Sequence, residues 1–368
     1  MRTPKTQIIE PNTEYSKELS QALETQFLNE MSRAYAPDYI HIDELNRHAQ
    51  SRDAQAPTAR RKRTNQNNKI DESRDDFWRD ERTPPTFWQK IALRFAPLMS
   101  TIYDWQMTLG GGVRAVRHKI SLAKYPRAAA SLRIAFLSDL HLGPTSGRVA
   151  SRQAWKIARD SRPDVLLLGG DFLYADERGL PTLLRELQRW KRDAPLGGMY
   201  ACLGHHDHHA GSDTLIMALE ACGVRVLVDE AVELPHPWKN VWIVGSDGVG
   251  SDDANSGSPP IARALKNMPK NDCAITLSHS PQILESAEIL CCDLTLCGDT
   301  HGGQICWPNG EPLYMKSQWA RDYLHGLHRH AGNWVFVSRG VGNVGMPLRL
   351  FAPPDVGLIE ISERGARF

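Results

Sequence analysis

The sequence predicts an α/β domain built on buried strands, and three observations carry the prediction. Short, mostly apolar runs recur through the last two-thirds of the chain, as in Val165-Leu166-Leu167-Leu168 and Leu294-Thr295-Leu296-Cys297. Strands buried on both faces read this way. Segments of helical period lie between them, so the pattern from Leu132 onward is strand, loop, helix, repeated. Five of these strands run directly into Asp or His flanked by glycine or another small residue. That puts reactive side chains at the carboxyl ends of strands, where α/β sheets gather their ligands.

The 368 residues are 41% hydrophobic and 24% charged, with a formal net charge of +1. That suffices for one large domain or two smaller ones. The near-neutral balance argues against a nucleic-acid footprint over the whole protein, and no specific nucleic-acid partner is expected. The seven cysteines include the pair Cys291-Cys292 but no Cys-x-x-Cys. Cys202 and Cys297 lie in apolar segments and read as buried free thiols. The first residues lack the apolar core of a secretory leader, and no apolar run has spanning length. The expected location is therefore the cytoplasm.

Residues 1–84 differ from the rest. Leu19, Leu23, Phe27 and Met31 suit a short helix over Thr13 to Ala34. From His41 the chain is polar, with the basic run Arg60-Arg61-Lys62-Arg63, and is expected to be a largely disordered extension. The basic run reads as a solvated linker, with contact to anionic lipid or nucleic acid as the alternative. Residues 85–112 form an amphipathic segment with Phe87, Ile91, Phe95, Leu98, Met99 and Ile102 on one helical face. Pro97 should kink or divide that helix. Trp88, Tyr103 and Trp105 suit a membrane interface. Peripheral membrane contact through 85–109 and packing of this face on the catalytic domain stand side by side. Gly110-Gly111-Gly112 then breaks the segment.

The domain proper is expected over residues 113–368. Val113 to Lys124 alternates as a strand, and Leu132 to Leu137 is the first buried one. Further strands are expected at Val165–Leu168, Gly198–Leu203, Val224–Val228, Val241–Gly245, Ala274–Leu277, Leu294–Cys297, Trp334–Val337 and Val356–Ile361. Helices are expected at Ala150–Asp160, Leu183–Trp190, Thr214–Ala221 and Ile261–Met268. Asp139 and His141, two apart on a continuing strand, would share a face.

The blocks Asp139-Leu140-His141, Gly170-Asp171, Gly204-His205-His206-Asp207, His279 and Gly298-Asp299-Thr300-His301 resemble the calcineurin-like metallophosphoesterase superfamily. The resemblance runs from about Val113 to Phe368. THGGQI followed by SRGVG and PLRLF is similar to a bacterial phosphodiesterase branch whose relatives include a UDP-2,3-diacylglucosamine pyrophosphatase. The resemblance implies a four-layer α-β-β-α sandwich with two central mixed β-sheets and a dinuclear metal centre. Asp139, His141 and His301 would hold one metal, and Asp171 would bridge. His205, His279 and Asp299 would hold the other. A metal-activated hydroxide would attack phosphorus. His206 would donate a proton to the leaving group, with Asp207 orienting it.

Two positions depart from the family pattern: His205 stands where Asn is usual, and Asp299 where His is usual. Both fall on the same metal, and both remain competent ligands. The third carboxylate favours manganese or iron, with zinc and magnesium as alternatives. Arg349 or Arg339 could pair with a substrate phosphate. His208 and His209 read as loop surface, and His325, His328 and His330 as a polar loop. The expected activity is metal-dependent hydrolysis of a phosphodiester or pyrophosphate in a small-molecule or lipid substrate. The alternatives are a non-catalytic scaffold on the same fold and a nucleic-acid module carried by Arg60 to Arg63.

Overall fold

The computed structural model describes residues 96–143, 146–174, 177–247, 260–313 and 321–363. The expectations for Thr13–Ala34, Arg60–Arg63, Phe87, Trp88, Ile91 and Phe95 lie outside these residues. The first described element is α1 (Ala96–Leu109), which includes Pro97 at its second described residue. Its inner face buries Tyr103 and Met107, while Leu98, Ile102, Trp105 and Leu109 are exposed. Of the two roles left open for the face with Leu98 and Ile102, these residues face outward rather than pack on the domain, whereas Tyr103, expected at an interface, is buried.

Two sheets follow. The first is formed by β1 (Arg114–Leu122), β2 (Leu132–Leu137), β3 (Val165–Leu168), β4 (Met199–Ala201), β5 (Val224–Val226) and β12 (Asp355–Glu363), in the order β1-β12-β2-β3-β4-β5. Strands β2 to β5 are parallel, and β12 runs antiparallel to β2. The second comprises β6 (Glu230–Glu233), β7 (Val241–Ser246), β8 (Cys273–Ser278), β9 (Leu294–Cys297), β10 (Gly326–His330) and β11 (Asn333–Val337). Its order is β10-β11-β9-β8-β7-β6, parallel from β11 to β7 with an antiparallel strand at each edge. Both sheets are mixed.

The sheets pack face to face. Ile134, Phe136, Leu167, Ile243, Leu277, Leu296 and Phe336 share one core. Phe136 and Phe336 meet edge to face across it, 6.2 Å between centroids. Helices α2 (Arg148–Asp160) and α3 (Leu180–Arg192) bury Trp155 and Trp190 on the first sheet's side. On the second sheet's side, Val244, Ala274, Cys297 and Val335 pack against Ile261 and Ala264 of α5 (Pro260–Leu265) and against Leu284 and Ile289. The result is a four-layer α/β sandwich whose parallel strands deliver their carboxyl ends to one edge. All seven cysteines are free, and all but Cys291 are buried.

Two local expectations fail, and one strand carries no sequence signal. Helix α4 spans His205–Ala221, so the histidine-rich stretch expected as loop is its first turns. Asp207 caps this helix by accepting the Gly204 amide at 3.0 Å. Low helix propensity and Gly211 hide that start in the sequence. His328 and His330 lie on β10, which pairs with β11 and places the Arg329 guanidinium 3.4 Å over the Trp334 ring. The edge strand β6 carries no alternating apolar signal and is half-buried throughout.

Candidate metal centre

At the strand ends the chain abandons extended backbone. Asp139, His141, Asp171, Asp299 and His301 all have φ between 43° and 70°, in the left-handed region. Asp139 and His141 therefore do not converge by alternation along a strand, since β2 has already ended at Leu137. They converge because the chain bends twice, and hydrogen bonds hold each bend. The Asp139 amide donates to Gly170 O at 3.0 Å, and the His141 amide to Asp171 O at 2.9 Å. The Asp299 amide donates to Asp139 Oδ1 at 3.1 Å, tying the second sheet to the first. Left-handed backbone costs about 1 kcal/mol or more at each such residue, offset here by the bonds that over-determine it. Gly340 (φ 67°) closes the floor, because a Cβ there would lie 2.6 Å from the Asp139 Cβ.

The outcome is a buried cluster of facing ligand atoms. Those of Asp139, His141 and His301 lie within 4.8 Å of one another, and so do those of His205, His279 and Asp299. Asp171 stands between: its Oδ2 is 3.4 Å from His141 Nε2 and 3.1 Å from His279 Nε2. His141 Nε2 and His301 Nε2 are 3.0 Å apart. The structure thus brings together all seven predicted ligands, including His205 and Asp299 at the unusual positions.

The electrostatics fit a cation. His279 Nδ1 lies 2.8 Å from Gly169 O, so Nδ1 carries the ring proton. Its buried Nε2 finds no aligned hydrogen-bond partner and faces Asp171 Oδ2 and, at 3.8 Å, Asp299 Oδ1. A lone pair aimed at two carboxylates requires a positive charge between them, a proton or a metal ion. Burial alone would lower His279, but Asp171, Asp139 and Asp299 push it well above the usual imidazole range. Burial would raise Asp171, yet His279 and His141 hold it well below the carboxylate range. Burial, with Asp171 and Asp299 nearby, pushes Asp139 up to about 7. On the other side, burial followed by the Arg349 charge lowers His301 to about 3, and burial lowers His141. These two rings are neutral at pH 7 and ready to ligate.

His206 stands beside the seven. Its amide donates to Asp171 Oδ1 at 2.9 Å, and its ring lies edge-on to His141 with centroids 4.9 Å apart. Tyr174, which no sequence signal marks, packs against both rings. Asp207 does not orient His206. Its Oδ1 accepts the amides of Phe172 (2.9 Å) and Leu173 (3.3 Å), and its Oδ2 that of Gly204. His206 Nδ1 has no partner. Burial pushes the Asp207 carboxyl up to about 7, against the three amides that favour its charged form.

The two arginines are committed elsewhere than expected. Arg349 is buried, and its guanidinium donates to Gly342 O, His301 O and Ala352 O, with Nη2 also against His301 Nδ1. None of its faces is left for a substrate phosphate. Arg339 pairs with Asp355 at 3.0 Å and reaches His325 Nε2 at 3.3 Å. His208 lies one turn beyond His205 and meets Asp247 at 2.8 Å. The side chain of His209 is outside the described set. His328 Nε2 bonds its neighbour's carbonyl, His325 O, and His330 bonds Tyr323.

Comparison with known proteins meets this geometry from the other direction. The profile of the calcineurin-like phosphoesterase family matches residues 132–303, from the start of β2 through the turn that carries His301. An uncharacterized metallophosphoesterase of Aquifex aeolicus is 31% identical over 69% of this chain and 93% of its own. The uncharacterized metallophosphoesterase YkoQ of Bacillus subtilis is 30% identical over 64% of this chain and 85% of its own. The phosphodiesterase YaeI of Escherichia coli is 29% identical over 68% of this chain and 89% of its own. Shared residues across nearly the full length of such relatives, joined to strand ends that gather carboxylates and imidazoles, place the chain in the calcineurin-like metallophosphoesterase family.

Proposed function

We propose that this protein is a metal-dependent phosphohydrolase that cleaves a phosphodiester or pyrophosphate bond at the Asp171 centre. The observation that carries the reading is the His279 Nε2 atom, buried and aimed at two carboxylates. Asp139, His141 and His301 would hold one divalent ion, and His205, His279 and Asp299 a second, with Asp171 shared. Ions bound there would polarise a phosphoryl group and acidify a water for attack on phosphorus. Three carboxylates suit manganese or iron, with zinc and magnesium as the alternatives.

The protein's own groups do the rest. Asp171 is fixed from the backbone side by the His206 amide, which keeps that carboxylate and the His206 ring in register. The His206 imidazole, outside the seven-residue donor set, would hand a proton to the leaving oxygen. Gly204 lets the His205 turn close onto the Asp171 carboxylate, where a Cβ would collide. Likeness to the phosphodiesterase YaeI favours a diester over a monoester.

A lipid-linked substrate and peripheral membrane contact through 85–109 complete the reading, with the protein at the inner face of the cytoplasmic membrane. The outer face of α1 exposes Leu98, Ile102, Trp105 and Leu109. The α2 helix packs beside α1, and Arg152, Lys156, Arg159, Arg185 and Arg189 of α2 and α3 line a surface groove with only Asp160 and Glu186 as acidic partners. An apolar stripe beside a basic groove suits an anionic bilayer. No helix of the described residues is long and apolar enough to cross one. On this reading 113–368 is the catalytic domain, 85–112 its docking segment and 1–84 an extension.

Hydrolysis of bis-p-nitrophenyl phosphate with added Mn²⁺ tests the activity, and His141→Ala should abolish it. A protein inactive with every divalent metal and carrying none by elemental analysis would be a scaffold instead. Flotation with anionic liposomes tests the surface: Trp105→Ser with Leu109→Ser should stay at the bottom of the gradient while the parent floats.

A further inference from the structure

Helix α1 precedes the family-matched segment, yet its buried face leads to the metal centre by two short routes. The first runs through Tyr103. Its hydroxyl donates to Val341 O at 2.8 Å and to Gly342 O at 3.3 Å. The Val341 and Gly342 amides donate in turn to Asp139 O at 3.2 and 2.7 Å. Gly342 also packs so closely on Leu140 O and the His141 Cβ that no side chain fits between. Tyr103 therefore sits one residue away from the turn that presents Asp139 and His141.

The second route runs through Gln106. Its amide clasps the Arg349 backbone from both sides: Nε2 donates to Arg349 O, and Oε1 accepts the Arg349 amide at 3.0 Å. The Arg349 side chain then spans the His301 turn, donating to His301 O at 3.1 Å and placing Nη2 3.1 Å from His301 Nδ1. Its Nε returns to Gly342 O at 2.8 Å, so both routes join at one carbonyl. The planar fork of arginine makes these bonds at once; a lysine could make one of them.

We propose that Tyr103, Gln106 and Arg349 are positioning residues for the first metal site, so that the inner face of α1 is a working part of the metal centre while its outer face remains the docking surface. The proposal rests on the metal-centre reading above, with Asp139, His141 and His301 as one ligand set. The second set has supports of its own: His279 is held by Gly169 O, and His205 stands in the first turn of α4. Losing the relay should therefore weaken one site and spare the other. Groups that orient metal-ligating side chains typically change affinity by about 10- to 100-fold.

The test uses the full chain and Mn²⁺ alone, titrated calorimetrically and counted by elemental analysis, with urea denaturation alongside. The parent should bind two ions. Tyr103→Phe, Gln106→Ala and Arg349→Lys should each stay folded and keep one ion at parental affinity. The other ion should bind about 10- to 100-fold more weakly. The Mn²⁺ concentration for half-maximal hydrolysis should rise by the same factor, with kcat at saturating Mn²⁺ little changed. Trp105→Ser, on the outer face of the same helix, should bind both ions as the parent does. Equal two-site binding in Tyr103→Phe and Arg349→Lys would overturn the relay, and so would equal weakening of both ions. A parent that takes up no Mn²⁺ would instead overturn the metal centre itself, and the relay with it.

Discussion

The two halves of the metal centre use the same ligand chemistry and rest on different foundations. Asp139, His141 and His301 are buried, enclosed by Gly340, Gly342 and Arg349 and backed by α1. His205 and Asp299 are only partly buried, one in the first turn of a helix and the other on a turn after β9. The two departures from the family pattern both lie in this more open half. A site enclosed by backbone contacts tolerates only the side chain its walls were built around. An open one accepts any ligand that reaches the ion. Asp171 belongs to both halves, and its pairing with His141 and His279 makes it the residue on which the comparison turns.

The largest expected effect is accordingly at Asp171. Asp171→Asn should lower kcat for bis-p-nitrophenyl phosphate by about a thousandfold or more and reduce bound Mn²⁺ at both sites. Retention of either ion at parental affinity would show that the halves do not share this carboxylate. His206→Ala should cost about 10²–10⁴ in kcat while both ions stay bound. Loss of an ion in that variant would move His206 into the ligand set, since its nitrogen lies within ligand reach of His141 and Asp171.

Asp207 separates support from chemistry. Asp207→Asn puts an NH2 donor where one of two carboxyl oxygens accepts backbone amides, and should lower unfolding free energy by about 1–3 kcal/mol in urea denaturation. The folded fraction should keep near-parental kcat. A variant as stable as the parent but catalytically dead would restore Asp207 to the chemistry.

What the sequence discloses, and what it conceals, follows the same division. Val165–Leu168 and Leu294–Cys297 were bounded to the residue because strands buried on both faces have no polar interruption. The convergence of the candidate ligands is legible because Asp and His beside glycine at strand ends have few structural uses. Five ligands in left-handed backbone were not legible, since Asp and His enter that region only when tertiary bonds hold them. The burial of Arg349 was hidden too: an arginine near a glycine loop reads as a phosphate contact until its acceptors are seen. Tyr103 and Trp105 share a helix and an aromatic character, yet one is wholly buried and the other 67% exposed. Only the position of the 341–342 turn decides between them.

The smallest effect is the most informative about the open half. Reverting His205→Asn together with Asp299→His keeps two imidazoles around the second ion and replaces one carboxylate by a neutral amide. The first site should bind Mn²⁺ unchanged, because its three ligands stay and the support that residue 299 gives Asp139 is a backbone amide. At the second site the less negative shell should shift preference from manganese or iron toward zinc. With less negative charge nearby, a water there becomes more acidic, so the acid limb of the pH–rate profile should move down by about one unit. Metal competition and the pH profile read the two consequences separately. A double variant with unaltered metal preference and pH profile would mean that the ion at the second site ignores its carboxylate count. The openness of that half would then reflect access for substrate rather than freedom in choosing ligands.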